Sequence, residues 1–104
     1  DLGVHFLSPD NRQVEIGFTV SPAHQRRGYA AEAVPALISY LFGTLGKHRI
    51  IGSVDPRNIA SIALLSKLGL RREAHFRESI WVDGEWQDDV IYALLAEEWP
   101  AANR

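Results

Sequence analysis

Apolar and polar positions alternate twice near the start of the chain. Leu2-Gly3-Val4-His5-Phe6-Leu7 and Val14-Glu15-Ile16-Gly17-Phe18-Thr19-Val20 each read as a strand, with Pro9-Asp10-Asn11 as the turn of an antiparallel hairpin. After Ser21-Pro22 the period lengthens. Ala30, Val34, Leu37, Ile38, Leu41 and Phe42 fall on one helical face, and Gly43 with Gly46 supplies the stop. Pro35 lies inside that helix and predicts a kink unless the helix starts later than Gly28, because proline removes a backbone donor. Arg49-Ile50-Ile51-Gly52-Ser53-Val54 is short and β-branched, as a buried strand is, and Asp55-Pro56 ends it.

A second helix is expected from about Ile59, with Asn58 as its N-cap, Gly69 as its C′ residue and Leu70 as the apolar contact beyond. Ile59, Ile62, Ala63, Leu64, Leu65 and Leu68 leave it little polar surface, so it is expected to pack on more than one side. From His75 to Leu95 the pattern is strand, Asp83-Gly84 turn, strand, and Ala96-Glu97-Glu98-Trp99 reads as a closing turn. The order is β, β, α, β, α, β, β. Strands joined through a helix lie parallel by a right-handed crossover, and the flanking hairpins are antiparallel. The expected class is α/β (α+β), a mixed, mostly antiparallel sheet with a central parallel pair and flanking helices.

Composition narrows the functional classes. The chain has 104 residues, 46% hydrophobic and 23% charged, which makes one domain or part of one. A formal net charge of −2 argues against a dedicated nucleic-acid binder, and no cationic amphipathic run suggests a membrane surface. There is no Cys, hence no disulfide, thiolate metal site or cysteine nucleophile, and the four His lack the close pairing of zinc ligands. No apolar run approaches the ~20 residues that span a bilayer, and Asp1-Leu2 does not open a signal peptide. A soluble, cytoplasmic protein without a metal site is the expectation.

Candidate chemistry concentrates between the second strand and the first helix, at Ser21-Pro22-Ala23-His24-Gln25-Arg26-Arg27-Gly28-Tyr29-Ala30. Free amides at a helix N-terminus and the helix dipole attract anions. Gly28 lets the backbone approach a phosphate, Ala30 avoids crowding, and Arg26 and Arg27 add charge, so a pyrophosphate would fit; a solvated turn with surface arginines is the alternative.

Gln25-Arg26-Arg27-Gly28-Tyr29-Ala30 resembles the Gln/Arg-x-x-Gly-x-Gly/Ala signature of the GNAT family of N-acetyltransferases, whose loop holds the pyrophosphate of acetyl-CoA. Val14-Glu15-Ile16-Gly17-Phe18, Ala31-Glu32-Ala33, His48-Arg49-Ile50, Asn58-Ile59-Ala60-Ser61, Lys67-Leu68-Gly69-Leu70-Arg71-Arg72-Glu73 and Asp83-Gly84-Glu85-Trp86-Gln87-Asp88 are similar, in order, to the Rim-type branch that acetylates ribosomal-protein N-termini. The resemblance covers nearly the whole chain. It implies that Gln25, Arg26, Arg27, Gly28, Tyr29 and Ala30 bind the pyrophosphate, that the backbone of Phe18, Thr19 and Val20 bonds the pantetheine arm like an extra strand, and that Asn58 and Ser61 also touch the cofactor. Diverging strands that expose backbone groups can accept such a ligand. Gly17 marks either the start of that divergence or a plain bulge.

Acetyl transfer to an amine needs a neutral amine, an oxyanion donor and a proton for the leaving thiolate. The family-implied oxyanion donor is a backbone amide near Val20. Glu15, on the opposite strand face from Val14, Ile16 and Phe18, is either the general base or a solvated surface carboxylate. Many relatives carry a Tyr as acid within Asn-x-x-Ala-x-x-Leu-Tyr. This chain has Leu65 there, so the resemblance leaves the Ser61 hydroxyl to meet the thiolate; a first-turn serine satisfying helix amides is the alternative. Asn58 can serve as both ligand and cap. Trp81 and Trp86 flank the hairpin turn and predict a cross-strand aromatic contact, with an acceptor-binding role as the alternative.

The resemblance thus implies an enzyme that moves the acetyl group of acetyl-CoA to an amine by direct attack. The expected acceptor is a peptide N-terminus; a small amine such as an aminoglycoside or polyamine, or a non-catalytic CoA-binding module, is the alternative. The matching motifs begin partway into the family's sheet. Residues 1–104 are therefore expected to form a single domain, the C-terminal portion of a larger one truncated at its N-terminus, with an exposed sheet edge and an open apolar face that favour a homodimer or poor stability.

Overall fold

A computed structural model describes residues 2–7, 12–18 and 29–99, with the side chains of 2, 3, 18 and 29–31 outside the description. The elements run β1 (Leu2–Leu7), β2 (Gln13–Phe18), α1 (Tyr29–Ser39), a π turn (Tyr40–Thr44), β3 (Arg49–Val54), α2 (Ile59–Lys67), β4 (Arg71–Val82), β5 (Glu85–Leu95) and a 3-10 turn (Ala96–Glu98). They build one five-stranded sheet in the order β1-β2-β3-β5-β4. The β1/β2 and β4/β5 pairs are antiparallel hairpins, β2 and β3 run parallel across α1, and β5 inserts antiparallel between β3 and β4. The mixed sheet with its central parallel pair is the architecture expected from the alternation of strand and helix periods.

Both helices lie on one face of the sheet. Val34, Ile38, Leu41 and Phe42, together with Leu65 of α2, join Val14, Ile16, Ile50, Val54, Val90, Tyr92 and Leu94 in a single core. Alternation along the strands sends Glu15, Ile51 and Ser53, all half-buried, to the other face. The face between helix and strand is closed by a glycine. A Cβ on Gly52 would sit 3.4 Å from Leu65 Cδ1, so the joint between α2 and β3 has room for a methyl and for nothing larger.

The helix ends follow local chemistry. Asn58 accepts a 3.1 Å hydrogen bond from the Ser61 amide, which caps α2. At the other end Leu70 N donates to Leu65 O and Gly69 N to Ser66 O, while Gly69 takes φ +96 and Leu70 is buried, which together make a Schellman turn. Asp83 and Gly84 both have positive φ, as a type I′ hairpin turn requires. The Trp81 and Trp86 rings meet edge to face, with centroids 5.2 Å apart.

Two expectations are corrected. Gly43 does not stop the first helix; it lies inside the π turn, and Gly46, at φ +67, is where Lys47 N turns back to Leu41 O. Pro35 sits within α1 as expected, where its ring nitrogen has no hydrogen to give the carbonyl of Ala31, four residues back. Finally, α2 is not enclosed all round. Ile59 is 77% exposed and Ala63 exposed, while Ser61 and Leu65 carry the deep contacts, because the sheet offers this helix one face only.

Candidate active site

The parallel ladder between β2 and β3 ends early. Its last pair is Ile16↔Gly52, yet β2 continues to Phe18 beside β1, and β3 continues to Val54 beside β5. The two strands therefore part, with residues 17 and 18 on one side and Ser53 and Val54 on the other. Backbone groups along such a parting can accept an extended ligand. Gly17 has neither a positive φ nor any atom within 4 Å of where its Cβ would be. Space alone therefore does not require a glycine there; its missing side chain opens the sheet surface next to Glu15.

Glu15 stands on the open face, opposite His5 on β1 and beside Ile51 on β3. With Val4, His5 and Gly17 it lines an open depression of about 350 Å³. Ser61 belongs to the other face, in the first turn of α2. It is fully buried, and its Oγ has no hydrogen-bond partner. Asn58, not the serine hydroxyl, satisfies the first-turn amide, so the capping alternative for the Ser61 side chain does not hold. An unpartnered buried hydroxyl costs about 1–3 kcal/mol, which a polar group brought to that point would offset.

The remaining candidates divide simply. Phe18, Tyr29 and Ala30 are placed through their backbone at the end of β2 and the start of α1. Thr19, Val20, Gln25, Arg26, Arg27 and Gly28 lie outside the described residues. Among the described residues no group of His, Asp and Glu could hold a metal ion, and no helix is long and apolar enough to cross a membrane.

Two features escaped the sequence pattern. Ser53 Oγ donates a 2.5 Å hydrogen bond to Asp89 Oδ1, joining β3 to β5 on the open face just beyond the parting. Asp88, its neighbour, points the other way: it accepts from the Glu78 amide at 2.7 Å and pairs with His75 Nε2 at 2.8 Å. These contacts, the Glu78 bond foremost, hold its carboxyl below the usual value. Alternation along β5 would have put Asp88 and Asp89 on opposite faces, but the bulge in β4 between Phe76 and Ile80 that Asp88 serves has no local signal. At the β3–α2 turn, Arg57 spans Asp55 and Glu85 and keeps the Asp55 carboxyl low.

Comparison with known proteins fits this geometry. Residues 1–71 match the model of the acetyltransferase (GNAT) domain. An uncharacterized N-acetyltransferase of Bacillus subtilis, YnaD, is 44% identical over 82% of the chain and 50% of its own length. The ribosomal protein uS5-alanine N-acetyltransferase of Escherichia coli is 33% identical over 81% of the chain and 43% of its own length. Among solved structures, a GNAT-family acetyltransferase from Bacillus anthracis superposes with a TM-score of 0.83 at 36% identity, covering 93% of this chain and 58% of that one. Spermidine N-acetyltransferase SpeG from Vibrio cholerae gives 0.75 at 27% identity, covering 83% of this chain and 51% of that one. The chain spans about half the length of the curated relatives it matches. The family model matches residues 1–71 and a relative is 44% identical over 82% of the chain, so the chain belongs to the GNAT acetyltransferase domain family.

Proposed function

We propose that the protein transfers the acetyl group of acetyl-CoA to an amine, with a peptide N-terminal α-amine as the acceptor. The observation that carries this reading is the parting of β2 and β3 after Ile16↔Gly52, flanked by Glu15 on one face and the unpartnered, buried Ser61 Oγ on the other. Acid and base on opposite sides of a thioester suit a direct attack. The orphaned hydroxyl and the parted strand edges fit acetyl-CoA, whose bound form supplies an activated acyl carbon.

In this reading Phe18, Thr19 and Val20 hold the pantetheine arm through their backbone, and Gln25 to Ala30 hold the pyrophosphate. Glu15 takes the proton from the attacking nitrogen as the new C–N bond forms, directly or through water. The Ser61 hydroxyl meets the sulfur as the C–S bond breaks and gives it a proton, which solvent restores. A backbone amide near Val20 stabilises the oxyanion between these two events. No acyl-enzyme forms, in keeping with a chain that has no Cys.

The uS5-alanine enzyme among the relatives supports a peptide acceptor, and the likeness to SpeG supports a polyamine as the second reading. Incubation with radiolabelled acetyl-CoA and a panel of N-terminal peptides, spermidine and an aminoglycoside separates them. Label on the α-amine of a peptide supports the first reading. Label on spermidine alone replaces it with the second, and binding of acetyl-CoA with no turnover on any acceptor leaves a CoA-binding module.

A further inference from the structure

The Ser53–Asp89 pair takes no part in the chemistry above, yet it stands at the mouth of the site. Gly52 is the last β3 residue paired with β2, so Ser53 is the first residue beyond the parting. Its side chain lies on the Glu15 face, because Gly52 and Val54 on either side of it face the core. Glu15 stands beside Ile51, and Ser53 is the next side chain along β3 on that face. Ideal strand spacings of about 4.8 Å across and 6.6 Å along put the two Cα atoms about 8 Å apart. A nitrogen placed between the side chains would reach both.

The polarity of this hydroxyl is fixed. Ser53 Oγ donates its single proton to Asp89 Oδ1, at 2.5 Å. What remains on Ser53 Oγ is two lone pairs and no donor. A free serine would meet donors and acceptors alike. This one selects a ligand that brings a donor, as an amine does with its N–H.

We infer that Ser53 positions the acceptor amine by accepting one of its N–H bonds, and that Asp89 acts through Ser53 as a positioning residue by holding the hydroxyl in its accepting orientation. The inference rests on the acetyltransferase reading and adds a specificity element to it. The second N–H of the same amine is then directed at Glu15. An amine offers both donors, whereas a hydroxyl acceptor offers one, so the pair also favours N- over O-acetylation.

Steady-state kinetics at saturating acetyl-CoA, on the purified protein with whichever amine the panel identifies, provide the test. Ser53→Ala is expected to raise the KM for the amine about tenfold, the loss of one hydrogen bond, with kcat changed less than threefold and acetyl-CoA affinity within twofold. Asp89→Ala is expected to raise the amine KM in the same direction. The double variant should match Ser53→Ala alone, because Asp89 acts through the serine. Ser53→Thr, which keeps a hydroxyl, should restore the KM, and Asp89→Leu, which keeps the bulk and removes the acceptor, serves where an alanine variant does not fold. A folded Ser53→Ala protein with unchanged amine KM overturns the inference, as does an Asp89→Ala effect that multiplies with it; both outcomes leave the acetyltransferase reading standing. A wild-type protein that acetylates no amine overturns both.

Discussion

A buried hydroxyl with nothing to bond makes a residue-scale prediction in two directions at once. Ser61 Oγ has no partner, so Ser61→Ala removes an unsatisfied polar atom without opening more than an oxygen-sized gap. Stability is expected to stay level or rise by about 1 kcal/mol in urea unfolding. Acetyl transfer, in contrast, should fall about 100-fold, the usual scale for losing a proton donor to a reacting group. A variant that lost stability and kept its rate would make Ser61 a packing residue. At Asn58 the signs coincide. Its side chain holds the Ser61 amide, so Asn58→Ala should cost about 1 kcal/mol in the same assay, and Asn58→Ser should recover most of it. Cap, turn and aromatic pair were all legible in the sequence, because each is a short-range relation that one or two residue types impose. The Ser53–Asp89 pair was not, since its members are 36 positions apart and meet only through the sheet register.

At the scale of elements, the joint between β3 and α2 depends on a missing side chain. A Cβ at Gly52 would lie 3.4 Å from Leu65 Cδ1 and 3.7 Å from Cδ2, ordinary contact for a methyl and too close for anything larger. Gly52→Ala is therefore expected to fold with its stability nearly unchanged. Gly52→Val should overpack the joint, lower stability by about 1–3 kcal/mol, and weaken acetyl-CoA binding by moving α2, which carries Ser61; thermal melts and cofactor titration measure the two effects. Equal melting temperatures for the two variants would show that α2 does not rest on this glycine. Periodicity located α1, α2 and the five strands of the described residues. It overstated the burial of α2, because Ile59 and Ala63 are apolar yet point away from the sheet, and hydrophobicity alone does not say how many neighbours a helix has. The π turn that continues α1 left no signal beyond Gly43, which read as a stop.

For the molecule as a whole, strand order was only partly legible: β2/β3 pairing follows from the crossover rule, but insertion of β5 between β3 and β4 is a long-range choice. Ion pairs then tie together what that topology brings near. Arg57 joins the β3–α2 turn to β5 through Asp55 and Glu85. Arg71 on β4 holds Glu98 of the last turn, and Arg49 and Arg71 share Glu73. Asp88 bridges His75 and the Glu78 amide within the last hairpin. Asp55, Asp88 and Glu98 are all held below their ordinary values of 3.8, 3.8 and 4.5, by Arg57, by the Glu78 amide with His75, and by Arg71. Each contributes stability that is fully present above its unfolded value and is lost as pH falls through its lower folded value. All three are solvent-facing, so each contribution is modest and screened by salt. The urea midpoint contributed by these groups is therefore expected to be level down to about pH 5 and to decline steadily below pH 4, less steeply in 0.5 M salt. Asp88→Asn should flatten the decline while lowering the midpoint at neutral pH, because the amide keeps the size and loses the charge. An acid slope identical in wild type and Asp88→Asn would mean that the bulge of β4 is held without the Asp88 carboxylate.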